Sequence, residues 1–252
     1  AGRGRFLAKT QAIGIAAADN ARDAVAGADV VIAAVVSDQM VIAAANVAPH
    51  LKSGQYYLDI NSASPRMKRE AAALIEANGA YFVEAAVMDL VPPHGHKVPM
   101  LLAGAKAADL AAILAPFGMN VRAVGETIGS ASAIKMSRSV FMKGFTAILI
   151  ECLTAANKLG AEEEVLDSLQ VSFPEMDWRK IADYYAPRLV KHSRRQAAEM
   201  HEVAETLEEL GVAPITALAS ADRLQWLADL DIAEMPKTYG ELLRAIRAAE
   251  AD

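Results

Sequence analysis

One lysine at the start of a long helical segment is the side chain best placed for proton chemistry. A strand pattern ends at Val124, a turn bounded by Gly125 and Gly129 follows, and Lys135 then falls among alanine, isoleucine and methionine in the early turns of a helix. Burial disfavours the charged form of an amine, so a buried lysine can accept and donate protons near neutral pH. The alternative is that the stem of Lys135 lies on the core while its ammonium group reaches water.

Polar side chains also stand where another predicted strand gives way to a helix. Asn61 and Ser62 follow a strand pattern that ends at Ile60, and Pro65 suits the first position of the next helix. Ligands of open α/β sheets bind beyond the carboxyl ends of the strands, which makes both residues candidates for ligand contacts. The alternative is that they only cap the helix that follows.

Further candidates lie on the predicted helices of the second half. Ser139 comes four residues after Lys135 and therefore on the same helix face, where its hydroxyl either binds a substrate or bonds back to its own backbone. Four cationic side chains recur at helical spacing: Arg188, Lys191, His192 and Arg195. This basic face is either solvated or recognises an anionic substrate group through guanidinium forks, with Arg195 as the candidate.

Alternating strand and helix patterns in the first half must position these groups. The run of β-branched residues from Val30 to Val36 is typical of a strand buried on both faces of a parallel sheet. Later strands are predicted at Gln55 to Ile60, Ala80 to Val87, Met100 to Ala103 and Asn120 to Val124. The helices between them predict an α/β fold with a Rossmann-like, doubly wound parallel sheet. From Thr127 onward only helical periodicity remains, so the predicted domains are 1–126, α/β, and 127–252, all-α.

The composition excludes several classes of protein. The 252 residues carry a net charge of −6 and have no basic run, which argues against a nucleic-acid partner. Cys152 is the single cysteine, so no intrachain disulfide forms and a reducing, cytoplasmic location is expected. No apolar run reaches the roughly 20 residues of a membrane span. His94 and His96 have no accompanying cysteine or carboxylate cluster, so no metal site is predicted.

A dinucleotide site needs a strand followed by Gly-x-Gly-x-x-Gly at a helix N-terminus. No such motif follows a strand pattern in these residues, whose first pattern fits the third strand of the fold. We therefore expect roughly 50 residues with the first strands to precede this sequence, judging by the length of a βαβ unit. The 252 residues alone should then bind a dinucleotide weakly. The alternative is that the domain never bound one.

Three segments, in this order and spacing, resemble the β-hydroxyacid dehydrogenase superfamily, which includes 3-hydroxyisobutyrate and 6-phosphogluconate dehydrogenases. Ala28 to Asp38 looks like the strand and turn that lie against the cofactor, and Asp59 to Pro65 looks like the segment beside the nicotinamide. Gly125-x-x-Gly129 followed by Lys135 resembles the helix that carries the catalytic lysine of the family. Three further segments, 119–122, 130–139 and 172–178, resemble a less characterised branch with a distinct C-terminal domain.

The resemblance implies an NAD(P)-dependent oxidoreductase that acts on a hydroxyl or an imine of a small polar metabolite, acidic or neutral. The implied roles are Lys135 as general acid/base, Ser62, Ser139 and Arg195 as substrate-binding residues, and Val36, Ser37 and Asn61 as contacts of NAD or NADP. The sequence does not choose between the two cofactors. The rival hypothesis is a non-catalytic scaffold or sensor of the same fold.

Two departures from the family bear on the substrate. Ser139 stands where the family has asparagine, and its side chain is shorter. A bulkier loop, Val91 to His96, replaces the Ser-Gly-Gly that holds a substrate carboxylate in the family. The family's small hydroxyacid substrates therefore do not carry over to this chain.

The helical half carries more apolar surface than one neighbouring helix can cover. Along the first long helix these residues are Ile134, Phe141, Phe145, Ile148 and Leu149. Together with the resemblance, this surface predicts a homodimer formed through the helical domain.

Overall fold

The computed structural model describes residues 2–36 and 39–250 and divides the chain into two compact units, Ala1–Lys135 and Met136–Asp252. The first unit is α/β and the second is helical. The prediction placed the boundary between residues 126 and 127, ahead of the long helix. The compact units meet inside that helix, whose first turn belongs with the sheet because Ala131 packs with Ala86 and Ala103; the domain boundary itself stays a prediction.

Five strands form the sheet of the first unit, in the order β1-β2-β3-β4-β5. They are β1 (Val30–Ala33), β2 (Tyr56–Asp59), β3 (Tyr81–Val87), β4 (Met100–Ala103) and β5 (Val121–Gly125). The Rossmann-like α/β prediction is confirmed, with one difference: β3 and β4 pair antiparallel, whereas the other pairs are parallel. The β3–β4 link holds a single turn of α-helix, which is too short for the crossover that parallel strands need.

The first unit also contains the helices α1 (Gly2–Ala12), α2 (Ala21–Val25), α3 (Met40–Val47), α4 (Pro65–Glu76), α5 (Val91–His94) and α6 (Ala107–Leu114). Of these, α2, α3 and α4 pack on one face of the sheet and α6 packs on the other. Successive strand residues point to opposite faces, so Tyr57 and Phe82 join the core with α3 and α4, whereas Leu58 and Val83 join the core with α6. Pro65 opens α4 as predicted, and the Ser64 hydroxyl accepts a hydrogen bond from the Met67 amide.

One row of residues crosses the whole sheet and includes two buried acids. Its members, in register, are Ala33, Asp59, Glu84, Ala103 and Gly125. Asp59 and Glu84 are both 0% exposed and sit directly opposite each other on parallel strands. Two adjacent carboxylates in a protein interior repel each other, so each needs its own compensating charge or dipole.

The compensation for Glu84 comes from the long helix α7 (Ser130–Leu159). Glu84 Oε1 accepts hydrogen bonds from the amides of Gly129 and Ala131, each at 2.8 Å, and Oε2 accepts one from the Ser132 hydroxyl at 2.9 Å. The free amides at a helix N-terminus form the positive end of the helix dipole, and a carboxylate satisfies them. The start of α7, one turn before Lys135, is thereby fixed to β3.

The second unit continues α7 and adds four helices. They are α8 (Glu162–Ser172), α9 (Trp178–Glu209), α10 (Ile215–Asp229) and α11 (Tyr239–Ala249). Its core includes Ile150 of α7, Met200 of α9, Leu224 of α10 and Ile246 of α11. Among the described residues, α7 is the one helix long and apolar enough to cross a membrane by length and composition, whereas the sequence predicted none; 44% of its most apolar window is buried inside the protein.

Gly104 follows Ala103, a member of the row that holds Asp59 and Glu84, and its surroundings leave no room for a side chain. Gly104 has φ +130°, and an added Cβ would lie 2.8 Å from the Phe82 carbonyl oxygen. Gly104→Ala should therefore lower the free energy of unfolding by about 3 kcal/mol, measured by urea denaturation. Gly27→Ala is the matched control: Gly27 has φ +74°, no described atom lies within 4 Å of the added carbon, and about 1 kcal/mol should be lost. Equal losses in the two variants would contradict the close approach at Gly104.

The second prediction concerns the carboxylate under α7. Glu84→Gln keeps the shape of the side chain but removes the charge that faces the helix dipole. It should lower the free energy of unfolding by about 2 kcal/mol in urea denaturation. Glu70→Gln, on the exposed face of α4, is the control and should stay within about 0.5 kcal/mol of the wild type. A Glu84→Gln protein as stable as the control would show that the charge does not support α7.

Candidate functional site

Two polypeptide segments lie side by side where β1 and β2 end. The Ile60 amide donates to the Ala33 carbonyl oxygen at 3.1 Å, and the Val35 amide donates to Asn61 Oδ1 at 2.6 Å. We call these segments, residues 34–36 and 60–62, the carboxyl edge. In open α/β sheets this is the position where ligands bind, so the predicted ligand contacts should lie here.

A buried cluster of charged and polar groups lies under the carboxyl edge. Lys68 of α4 is 1% exposed, and its Nζ donates to Asp59 Oδ1 at 2.6 Å, to the Asp59 carbonyl oxygen at 3.3 Å and to the Asn61 carbonyl oxygen at 2.7 Å. Asp59 Oδ1 also accepts the Asn61 amide at 2.9 Å. All three ammonium hydrogens therefore have acceptors. The charge of Asp59 is thus compensated by a lysine, whereas that of Glu84 is compensated by the start of α7.

Sequence reasoning missed Lys68 and assigned the burial argument to Lys135. The signal was present in the sequence: Lys68 precedes Ala71, Ala72 and Ile75 at spacings of three, four and seven, and all of them are buried in α4. A lysine on the apolar face of an amphipathic helix is the pattern of a buried ammonium group. Lys135 is half-buried in α7, which is intermediate between the two alternatives that the sequence left open.

The structure gives Asn61 a bond to the protein itself. Asn61 was predicted to contact a cofactor, and it lies at the carboxyl edge as expected. However, it is buried, and its amide oxygen is occupied by the Val35 amide. Among the described residues neither Asn61 Nδ2 nor Asp59 Oδ2 has a hydrogen-bond partner. Asn61 therefore joins the two segments of the edge.

Three other residues were predicted at or near the same edge. Val36 is 67% exposed and Ser62 is exposed, so both side chains are open to a ligand. Ser37 lies outside the described residues. An exposed apolar strip with a hydroxyl beside it suits a flat heteroaromatic ring that carries polar substituents. The residues present thus fit the nicotinamide end of NAD or NADP.

The start of α7 comes close to this edge within the first unit. An added Cβ at Gly129 would lie 3.1 Å from Cβ of Pro65, the residue that opens α4 just after Ser62. Ala131 packs in one cluster with Ala86 and Met88, at the carboxyl end of β3. Lys135 follows one helical turn later, on a helix that begins beside the carboxyl edge.

Of the two predicted substrate residues in the second unit, Arg195 has a charged partner within the protein, Glu199. Ser139 is half-buried on α7. Arg195 is exposed and pairs with Glu199, which also binds Lys143 at 3.0 Å. These contacts favour the solvated alternative for Arg195, since its guanidinium already has a carboxylate partner within the same helix.

Two other residues of the basic face, Arg188 and His192, are also poorly suited to bind an anion. Arg188 stacks on the Tyr184 ring, with 3.8 Å between its Cζ and the ring centroid. Burial lowers the pKa of His192, and the nearby positive charges of Arg195 and Lys191 lower it further. The imidazole is thus held toward its neutral form, which weakens this face as an anion site.

The loop between β3 and β4 carries the two histidines considered for a metal. His94 Nε2 lies 3.2 Å from Asp89 Oδ2, and both side chains are exposed. Within residues 2–36 and 39–250, no group of three or more His, Cys, Asp or Glu side chains is arranged to hold a metal ion.

Comparison with known proteins agrees with the two-part organisation. Residues 5–125 match the NAD binding domain of 6-phosphogluconate dehydrogenase, which confirms the predicted NAD- or NADP-binding domain. Residues 156–227 match a domain of unknown function, DUF1932. A relative from Methanothermus fervidus, an uncharacterized 28.5 kDa protein, is 32% identical over 197 residues, which are 77% of this chain and 74% of the relative.

Two solved structures extend the similarity over most of the chain. A conserved hypothetical protein from Sinorhizobium meliloti has a TM-score of 0.82 and 38% identity, over 98% of this chain and 83% of that chain. A conserved protein of unknown function, described as structurally similar to 3-hydroxyacid dehydrogenases, has a TM-score of 0.71 and 34% identity, over 88% and 83% of the two chains. The chain therefore belongs to the β-hydroxyacid dehydrogenase superfamily, in the branch that joins a 6-phosphogluconate dehydrogenase-like NAD-binding domain to the C-terminal domain DUF1932.

Proposed function

We propose that this protein is an NAD(P)-dependent oxidoreductase that transfers hydride between the nicotinamide and a hydroxyl or imine of a small polar metabolite. The observation that carries the proposal is the position of α7, whose first turn is bonded to Glu84 and packed beside Pro65. That arrangement delivers Lys135 from the carboxyl edge, where Val36 and Ser62 are open to a cofactor. Membership of the dehydrogenase superfamily supports the same function.

The chemistry divides between the cofactor and the protein. When bound, the nicotinamide accepts or supplies the hydride. Removing hydride from a secondary alcohol also requires loss of the hydroxyl proton. A nearby amine in its neutral form is suited to take that proton. Lys135 is proposed to hold that proton during oxidation and to return it during reduction. Ser62 would orient the reacting group through its exposed hydroxyl.

Ser139 and Arg195 are proposed as further substrate contacts. Ser139 lies four residues after Lys135 on α7 and so shares its helix face. Arg195 would have to exchange Glu199 for an anionic substrate group, an exchange that its exposed position permits. Leu90 and Val91 are exposed and apolar where the family has the Ser-Gly-Gly that holds a substrate carboxylate, so we do not propose the family's small hydroxyacids as the substrate. We propose a cytoplasmic location and no membrane or nucleic-acid partner.

A homodimer through the helical domain belongs to the same proposal. Phe141 and Ile148 lie seven residues apart on one face of α7 and are 72% and 64% exposed. Large apolar side chains lined up on an exposed helix face are typical of a surface that a second copy covers.

The role of Lys135 is tested with the protein expressed from its whole gene. Reduced nicotinamide should be formed from NAD or NADP with one or more of a panel of hydroxyacids, secondary alcohols and cyclic amines. Lys135→Met should lower kcat by about two to four orders of magnitude while leaving the cofactor affinity nearly unchanged, as expected when a general acid/base is lost. Lys106→Met, which removes an exposed lysine of the same unit, is the control and should behave as the wild type.

Two outcomes would contradict this proposal. Turnover of the Lys135→Met protein at the wild-type rate would remove the assigned proton carrier. A wild-type protein that neither binds NAD(P)H in calorimetry nor oxidises any member of the panel would favour the scaffold or sensor hypothesis.

The dimer is tested by light scattering at micromolar concentration. The wild type should give twice the monomer mass, and Phe141→Asp/Ile148→Asp should give the monomer mass because two charges would be buried in the interface. Val171→Asp on α8, at an 84% exposed position, is the control and should remain dimeric. A monomeric wild type would remove the proposed interface.

A further inference from the structure

We infer that Lys68 is a positioning residue of the carboxyl edge: through Asn61 it sets where Val35 and Val36 stand for the nicotinamide cofactor. The inference rests on the proposed function for the identity of the ligand. The positioning itself rests on hydrogen bonds within the first unit.

The first link joins Lys68 to the backbone of Asn61. The ammonium group donates to the Asn61 carbonyl oxygen at 2.7 Å and to Asp59 Oδ1 at 2.6 Å. The same Asp59 oxygen accepts the Asn61 amide at 2.9 Å. Asn61, the second residue after β2, is therefore held at both of its backbone polar groups, its carbonyl directly by Lys68 and its amide through the ion pair.

The second link joins Asn61 to the segment that follows β1. The ladder between β1 and β2 ends at the bond from the Ile60 amide to the Ala33 carbonyl. Beyond that bond, the Val35 amide donates to Asn61 Oδ1 at 2.6 Å. This side-chain bond joins the segments after β1 and β2 where the backbone ladder has ended. Because the backbone of Asn61 is held by Lys68, its side chain presents this oxygen from a fixed point.

The choice of residue at position 68 argues for a role beyond stability. Lys68 stands on the apolar face of α4 with Ala71 and Ile75, where an apolar side chain would pack. A buried ion pair is frequently no more stabilising than well-packed apolar residues of similar volume. What the ammonium adds is direction, since its three hydrogens define where Asp59 and Asn61 must lie.

The test uses charge-neutral variants so that no unpaired charge remains buried. Asp59→Asn/Lys68→Met removes the ion pair, while the carboxamide introduced at position 59 keeps an oxygen for the Asn61 amide. Asn61→Ala removes only the acceptor of the Val35 amide, and the triple variant combines both changes. The control is Lys106→Met/Asp109→Asn, which removes an exposed pair at 2.8 Å on α6.

The first readout is structural and needs no cofactor. Hydrogen exchange of the Val35 amide, followed by NMR, should accelerate roughly tenfold in Asp59→Asn/Lys68→Met, the effect of about one weakened hydrogen bond. Exchange of the Leu58 amide, at the centre of the buried β2, should stay slow and so show that the fold is intact. The Lys106 control should change neither amide.

The second readout is kinetic and uses NADPH and NADH as probes. The KM for the cofactor should rise roughly tenfold in the double variant and in Asn61→Ala, with a smaller change in kcat. If Lys68 acts through Asn61, the triple variant should lose no more than Asn61→Ala alone, because residues in one hydrogen-bond network are not additive.

Each contrary result has a distinct meaning. Unchanged Val35 exchange in the double variant, or additive losses in the triple variant, would overturn the positioning role. Faster Val35 exchange with an unchanged KM would overturn its connection to the cofactor. A wild-type protein that neither binds nor uses the cofactor would defeat the proposed function, and the exchange measurements would still decide whether Lys68 positions Val35.

Discussion

Two buried carboxylates in one row of the sheet are the constraint on which the rest of the structure depends. Asp59 and Glu84 face each other on adjacent parallel strands without exposure to water. The protein compensates them differently, with the ammonium group of Lys68 for one and the amides at the start of α7 for the other. Each solution fixes an element: α4 is bound to the end of β2, and α7 is bound to β3. The carboxyl edge and the helix that carries Lys135 are therefore located by charge compensation as much as by apolar packing.

Two lysines of the first unit differ in burial and, under the proposed function, in their use. Lys68 is fully buried with all its donors satisfied, which suits a fixed structural role. Lys135 is half-buried, and an amine in that setting keeps access to both a ligand and solvent, as proton exchange requires. The proposed reaction thus combines one lysine that is held in place with another that transfers protons.

Much of the fold was predictable from local patterns, because alternation of apolar runs with capped helices is written residue by residue. Pro65 is an example, and the family resemblance followed from short motifs. The apolar run from Val30 did predict a strand, but β1 ends at Ala33 rather than Val36, and Ile32 is 50% exposed, so burial on both faces was wrong. The antiparallel step between β3 and β4 was missed, since pairing direction depends on the length of a connection rather than on strand composition. Glu84 was missed because the amides that it binds lie 45 and 47 residues away in sequence. The burial of Lys68 could have been read from the apolar face of α4, but its acceptors could not, because two of the three are backbone carbonyl oxygens. The partner of Arg195 was missed because a basic face does not reveal which of its members already have carboxylates.

The turn between β5 and α7 sets the rotational phase of the long helix. Gly125 ends β5 and belongs to the row that holds Asp59 and Glu84. Four residues later, the Gly129 amide donates to Glu84, and Gly129 lies close to Pro65. Each residue of an α-helix advances the direction of its side chain by about 100°. One residue inserted in this turn, with Glu84 still holding the first amides that reach it, would aim a different side chain where Lys135 now points. The length of this four-residue connection thus fixes which side chain in the early turns of α7 stands where Lys135 does.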